Sequence, residues 1–321
     1  MKKLYLIDGM ALIYRSHYAM AYNPLMTSSG IHTSAIFGFV NSVIKIIKDE
    51  NPDYLCITMD TKGPTFRHEM YDAYKANRKA MPDEIQQQIP IFYDLFKDSN
   101  IPVLELKGFE ADDILGTLTS KINENNLMKY IVSGDKDLMQ LVNKSTNVYS
   151  IGNKFKPLTI YNEDKVLDKW GIEPSRMIDY LSLIGDSSDN IPGVAGVGPK
   201  TALKLLMEYN NLENIYESID KIKNPKLKDK LIDNKENALM SKELVTIDLD
   251  VPISFNLDNM LCKNIDYSNL QQKLNKLEIY TFDSFLGENL LFSLKDDDTE
   301  DKKDNKEYIL VNTQKKIGLS N

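Results

Sequence analysis

Cysteine is nearly missing: Cys56 and Cys262 are the only two in 321 residues, far apart and in no Cys-x-x-Cys pattern. With only His17, His32 and His68 beside them, a disulfide framework and a Cys/His zinc site are both excluded. No apolar run of about 18 residues occurs, and the Met-Lys-Lys start leads only into residues 4–7 before Asp8. That is too short for a signal peptide or a membrane span, and with the scarce cysteine it fits a reducing cytoplasm. Positive charge is also short: 39 Lys and Arg face 47 Asp and Glu, a formal charge of −8. Taken alone, this opposes the basic footprint of nucleic-acid binders, although net charge is blind to where the charges sit. What is present is globular, with 42% hydrophobic and 27% charged residues, enough chain for one large domain or two smaller ones.

Four short apolar runs rich in β-formers punctuate the first half, at residues 4–7, 54–59, 103–106 and 130–132. Helical spacing lies between them, at 35–48 and 114–122. Alternating buried strands and helices predict an α/β fold with a mostly parallel central sheet covered on both faces. Residues 148–151 and 158–161 flank Gly152 to Pro157 and predict a late hairpin. Beyond Gly171 the pattern turns helical, at 177–184, at 199–209 and through a lysine-rich stretch at 219–244. Residues 295–306 carry no apolar side chain and read as a solvated linker. Residues 308–313 read either as the first strand of something further or as a frayed tail. The resulting division is 1–171, 172–294 and 295–321.

The acidic residues fall where strands end. Residues 4–7 run into Asp8 and 54–59 into Asp60, while 103–106 are followed by Glu110, Asp112 and Asp113 at the start of a helix. Residues 130–133 run into Gly134-Asp135-Lys136-Asp137. Any one of these is explained as a turn or cap residue; four strands in succession are not. In a parallel sheet the carboxyl ends share one edge, where open α/β folds place their sites. Clustered carboxylates repel unless a cation sits among them. An oxygen-rich, cysteine-free set suits hard divalent cations, magnesium or manganese above all. Two such ions suit a phosphate-handling enzyme, since together they activate water and stabilise a leaving oxygen.

The second motif is Gly193-Val194-Ala195-Gly196-Val197-Gly198-Pro199-Lys200-Thr201-Ala202. Gly196 and Gly198 permit a tight turn with exposed amides, and Pro199 is placed as the first residue of the next helix. A helix start flanked by Lys200 and Thr201 is a phosphate site. The pattern reads as a helix–hairpin–helix gripping a DNA backbone without reading bases; the Walker spacing is absent. Asp186 and Asp189 lie just upstream and extend the acidic set. A third segment, residues 66–79, interleaves Arg67, Lys75, Arg78 and Lys79 with Phe66, Tyr71 and Tyr74. It reads equally as a single-strand holder or as a helix whose aromatics face the core. The lysines at 221, 223, 226, 228 and 230 read chiefly as solvated, with contact to duplex phosphates as the lesser alternative, and Trp170 and the histidines read as structural.

In this order the motifs resemble the 5′-nuclease family, most of all the 5′→3′ exonuclease domain of bacterial DNA polymerase I and its stand-alone relatives, cousins of flap endonucleases. The resemblance covers roughly residues 2–290 and rests on Ile7-Asp8-Gly9, Thr58-Met59-Asp60, Tyr74-Lys75-Ala76-Asn77-Arg78, Glu110-Ala111-Asp112-Asp113, Ser133-Gly134-Asp135-Lys136-Asp137 and residues 185–202. It implies a PIN-like parallel sheet, a helical arch over the site, and a helix–three-turn–helix DNA-binding subdomain. It assigns Asp8, Asp60, Glu110, Asp112, Asp113, Asp135, Asp137, Asp186 and Asp189 to a cluster of two or more magnesium ions, for which manganese substitutes. Lys75 and Arg78 become catalytic cations at the base of the arch. Tyr74, Gly193, Gly196, Gly198, Lys200 and Thr201 become DNA contacts, with a potassium ion on the hairpin carbonyls. The implied activity is structure-specific hydrolysis of DNA at a 5′ flap, nick or RNA primer, in replication and repair. The implied protein is a monomer in the bacterial cytoplasm at the nucleoid, without membrane contact, fused to or acting with a DNA polymerase. No polymerase activity is expected of these 321 residues.

Overall fold

The computed structural model describes residues 1–152, 156–287 and 289, so the linker and strand read at 295–321 lie outside the described residues. The strands are β1 (Lys2–Asp8), β2 (Tyr54–Thr58), β3 (Val103–Leu104), β4 (Leu127–Val132), β5 (Thr146–Ser150) and β6 (Thr159–Tyr161). They form one sheet in the order β3-β2-β1-β4-β5-β6. All pairs are parallel except β5 with β6, where Val148 faces Tyr161 in the expected late hairpin. β1 is central, with Leu6 between Cys56 and Ile131. Helices cover both faces, so Leu4, Tyr5, Leu6 and Ile7 are all fully buried, and the strand reads as a continuous apolar run rather than an alternating one.

Successive residues of β1 enter opposite cores. Tyr5 and Ile7 join Leu55 and Ile57 under α1 (Gly9–Ala19), α2 (Ser34–Glu50) and α4 (Asp83–Lys97). Leu4 and Leu6 join Cys56 and Ile131 under α5 (Ala111–Lys121). On α2 the buried residues Ile36, Phe39, Val40, Val43 and Ile44 recur at helical spacing. The start of α2 is held from α4 by buried Gln88, whose Oε1 accepts from the Ala35 and Ile36 amides at 3.0 and 3.2 Å. Each such leucine or isoleucine buried contributes roughly 1.5–3 kcal/mol.

Between β2 and α4 lie only α3 (Phe66–Met70) and a run of turns through residue 78. The arch implied by the resemblance is here a five-residue helix followed by turns. After α6 (Glu163–Trp170) the chain is helical through α7 (Met177–Ile184), α8 (Pro199–Tyr209), α9 (Leu212–Glu217), α10 (Pro225–Asp233) and α11 (Lys235–Val245). Lys242 on α11 ties Asp179 of α7 (2.7 Å) to Glu213 of α9 (2.6 Å). The apolar faces of these helices continue the α5 core, with Leu181, Ala202, Leu206 and Ile215 in one cluster with Leu4 and Leu6. Read as one unit from 172 to 294, the second half is divided in the structure: residues 265–286, including α12 (Tyr267–Lys276), return to the opposite face. There Ile265, Leu270, Leu274 and Phe282 join the core of α2 and α4.

Candidate nuclease site

The parallel sheet delivers its carboxylates to one edge. Asp8, at the end of β1, caps α1 by accepting from the Ala11 amide (3.1 Å), and its other oxygen accepts from the Ser133 hydroxyl (2.8 Å) at the end of β4. Asp60, just past β2, accepts from the Ala111 amide at 2.8 Å and so pins the start of α5. Asp135 accepts from the Asp137 amide at 2.9 Å. The Asp112 side chain makes no hydrogen bond or ion pair among the described residues, and one oxygen of Asp137, Oδ1, is buried without a partner.

A cavity of about 420 Å³ is lined by Asp8, Asp60, Glu110, Asp112 and Asp135 together with Tyr14, His68, Lys75 and Arg78. A neighbouring one of about 450 Å³ is lined by Asp135, Asp186 and Asp189 with Ser133, Lys136 and again Arg78. The two share Asp135 and Arg78 at the junction of the helical half with the sheet.

Burial, then the charge of Asp60, pushes the Asp8 carboxyl up to about 7. Burial also raises Asp60, and raises Asp112 well above the usual range with help from Asp8, Asp135 and Asp60. Asp137 is pushed up to about 8 by burial and by the charges of Asp135 and Asp186. Asp186 moves the other way: burial opposes ionisation, but the Ser188 donors and the Lys136 ammonium at 2.9 Å outweigh it. Three cations thus stand among the carboxylates. Lys75 meets Glu110 at 2.6 Å, Arg78 meets Asp189 at 2.5 Å, and Lys136 meets Asp186. No three His, Cys, Asp or Glu side chains among the described residues are drawn together into a ready cage. Lys75 is itself in a left-handed backbone conformation (φ 56°), its amide donating to the Asp189 carbonyl at 2.9 Å. That conformation costs a non-glycine residue about 1–3 kcal/mol and is typical of functional positions.

Asp137 lines neither cavity, and two further residues of the expected site, Asp113 and Tyr74, are closed off by their own partners. Asp113 is fully buried and faces away from both cavities: its oxygens take both Arg67 nitrogens at 2.7 Å, the Asp248 amide at 2.9 Å and the Glu110 amide at 3.1 Å. All its lone pairs are used, so it fixes α5 rather than facing a cation. Tyr74 is 3% exposed, its hydroxyl donating to Glu110 at 3.1 Å and lying 3.4 Å from Asp189, so it has no free face for a base to stack on. Arg67, read as part of a strand-holding segment, is buried and also donates to the Leu244 and Thr246 carbonyls (both 2.8 Å). Ser133 and Lys136 join the site through Asp8 and Asp186, and their sequence signal is only a small hydroxyl at a strand end and a lysine between two aspartates.

In the glycine hairpin, Gly185 and Gly193 lie back to back at positive φ (70° and 59°), and a Cβ on Gly193 would stand 2.4 Å from the Gly185 nitrogen. Gly193 is buried and shapes the turn, its amide donating to Ser241 at 3.0 Å. Gly196, Gly198 and Lys200 are exposed, while Thr201 is half-buried with its amide on the Gly198 carbonyl. The amides of Gly196 and Gly198 find no acceptor among the described residues, and both glycines are exposed.

Comparison with known families and structures agrees with the fold. The family model of the 5′-3′ exonuclease N-terminal resolvase-like domain matches residues 3–171, and that of the 5′-3′ exonuclease C-terminal SAM fold matches 172–268. A 5′-3′ exonuclease of Aquifex aeolicus is 38% identical, over 87% of this chain and 93% of its own. DNA polymerase I of Caldicellulosiruptor bescii is 40% identical over 89% of this chain but 33% of its own, so the chain spans about a third of such polymerase relatives. T5 5′-exonuclease, solved with bound zinc, has the same fold with a TM-score of 0.65 at 18% identity, covering 91% of this chain and all of its own. The catalytic core of Rad2 in complex with DNA gives 0.57 at 16% identity, covering 91% and 92%.

Proposed function

The chain belongs to the 5′-3′ exonuclease family, and on that footing we propose that it is a metal-dependent, structure-specific nuclease that hydrolyses phosphodiesters near a 5′ flap, nick or RNA-primer junction. The observation that carries the reading is the convergence of carboxylates from successive parallel strands with Asp186 and Asp189 of the helical half around two joined cavities. All-oxygen donors and the partnerless buried Oδ1 of Asp137 suit a hard divalent cation. Asp8, Asp60, Glu110, Asp112 and Asp135 would hold magnesium, or manganese in its place, on one side, with Asp137, Asp186 and Asp189 on the other. When bound, such ions supply Lewis-acid activation of water and stabilise the leaving oxygen.

The chain's own groups do the rest. Ser133 holds Asp8 in its orientation. Lys75 and Arg78 stand in the crevice, where they can take non-bridging phosphate oxygens and offset charge developing on them. The free amides of Gly196 and Gly198, with Lys200, grip the duplex backbone without reading sequence. Potassium at the hairpin fits less well, because the Gly196 carbonyl is already taken by the Lys230 ammonium. The role would be primer removal and repair at the bacterial nucleoid, as a monomer linked to or working with a polymerase. Incubation with an end-labelled 5′-flap duplex, with magnesium and with chelator, tests the reading; no magnesium-dependent product overturns it.

A further inference from the structure

Lys230 lies on α10, 34 residues beyond the hairpin in sequence, yet its Nζ donates to the Gly196 carbonyl at 3.2 Å. Its aliphatic stem crosses the bare face of that glycine. A Cβ on Gly196 would meet Nζ at 2.5 Å, Cε at 3.1 Å and Cδ at 3.5 Å. The φ of 75° at Gly196 favours glycine there, and the lysine stem lies across the face that a side chain would otherwise cover. Lys230 is exposed and forms no ion pair among the described residues, unlike Lys228, which meets Asp220. One of its three N–H donors is engaged and two are left over.

Physical chemistry gives this placement a purpose. A hairpin that offers amides to a phosphate also turns a carbonyl oxygen outward beside them, and that oxygen repels the phosphate unless a cation neutralises it. We propose that the Lys230 ammonium, seated on the Gly196 carbonyl, is a built-in cation of the backbone-gripping hairpin and donates to a duplex phosphate, so that no exchangeable monovalent ion is required there. The inference rests on the DNA-binding reading of the hairpin and would make α10 a part of that surface rather than a solvated helix.

The test is fluorescence anisotropy with a labelled plain duplex in chelator, at constant ionic strength in potassium, sodium or tetramethylammonium chloride. Wild-type affinity is expected to be the same in all three. Lys230→Met keeps the stem and is expected to bind roughly tenfold more weakly in tetramethylammonium, the loss of about one charge-assisted hydrogen bond, and to recover most of that in potassium. Lys230→Arg is expected to bind like wild type. Lys226→Met, one turn earlier on α10 and exposed, is expected to weaken binding equally in all three salts. Wild-type binding that already requires potassium, or a Lys230→Met protein indistinguishable from wild type or from Lys226→Met, overturns the proposal while leaving the DNA reading intact. Failure of the wild type to bind duplex in any salt overturns both.

Discussion

Arg67 and Asp113 meet as a buried bidentate pair, both nitrogen–oxygen distances 2.7 Å, between α3 and the first turn of α5. Through the same two side chains run the Leu244 and Thr246 carbonyls and the Asp248 amide. The pair is thus a clasp between the helical half and the helix start that carries Glu110 and Asp112.

Breaking one side of this clasp leaves an uncompensated buried charge. Asp113→Ala is expected to lower stability by roughly 3–5 kcal/mol, whereas Arg67→Met with Asp113→Leu regains much of that. Asp112→Asn should behave oppositely, with unchanged or raised stability in chelator and no cleavage. Thermal unfolding alongside a flap-cleavage assay separates the two neighbouring aspartates. A loss of activity without loss of stability in Asp113→Ala would return it to the metal set.

The pH dependence of stability in chelator follows from the raised carboxyls. Asp8, pushed up to about 7, and Asp137, pushed up to about 8, favour the protonated form in the fold. Their contribution is complete below the ordinary carboxylate range and is lost as pH rises through 7 to 8, on the order of a few kcal/mol. The melting temperature in chelator should fall from about pH 5 to pH 8. Magnesium should restore it and release protons, measurable by calorimetry in two buffers of different ionisation enthalpy. A melting temperature that rises over this window would contradict the assignment.

Lys75→Ala and Arg78→Ala are each expected to lower kcat by roughly a hundred- to a thousandfold with little change in duplex affinity. Tyr74→Phe keeps the buried ring and removes one hydrogen bond to Glu110. It should cost about 1 kcal/mol of stability and a few-fold in rate, with no change in single-strand affinity. A large loss of single-strand binding in Tyr74→Phe would revive a stacking role.

The hairpin glycines should divide into two kinds. Gly193→Ala places a Cβ against the Gly185 backbone and is expected to unfold the turn. A Cβ on Gly198 meets nothing within 4 Å, so Gly198→Ala should leave stability within about 0.5 kcal/mol while weakening duplex binding. Equal unfolding by both would remove Gly198 from the interface.

The strand ends carrying Asp8, Asp60 and Asp135 were readable in the sequence because a buried parallel strand is a continuous apolar run and the residue after it must sit at the sheet edge. Asp113 was not separable from Asp112, since adjacent helix positions point about 100° apart and only the packing of α5 decides which one faces the cavity. For Arg67 and Tyr74 the sequence leaves a strand-holding surface and a core-facing helix equally open, because their partners, Asp113, Glu110 and Asp189, lie up to 115 residues away. For the same reason the reach of Lys230 to Gly196 left no local trace. The short α3 escaped because a family likeness carries the typical arch, not this chain's turns.

The central position of β1 sets an order on how the enzyme comes into being. Its neighbour β4 begins at Leu127, so the first strand made must wait for much of the domain before both its edges are paired. Asp186 and Asp189 arrive later still, from beyond α7. At translation speeds of roughly 5–20 residues per second, about ten to forty seconds pass between the emergence of Asp8 and that of Asp189. Throughout that interval the chain holds only a partial acid set and no hairpin. On the proposed function, a product terminated before Asp189 is expected to give no magnesium-dependent cleavage of the flap duplex, because it lacks part of the acid set and the hairpin.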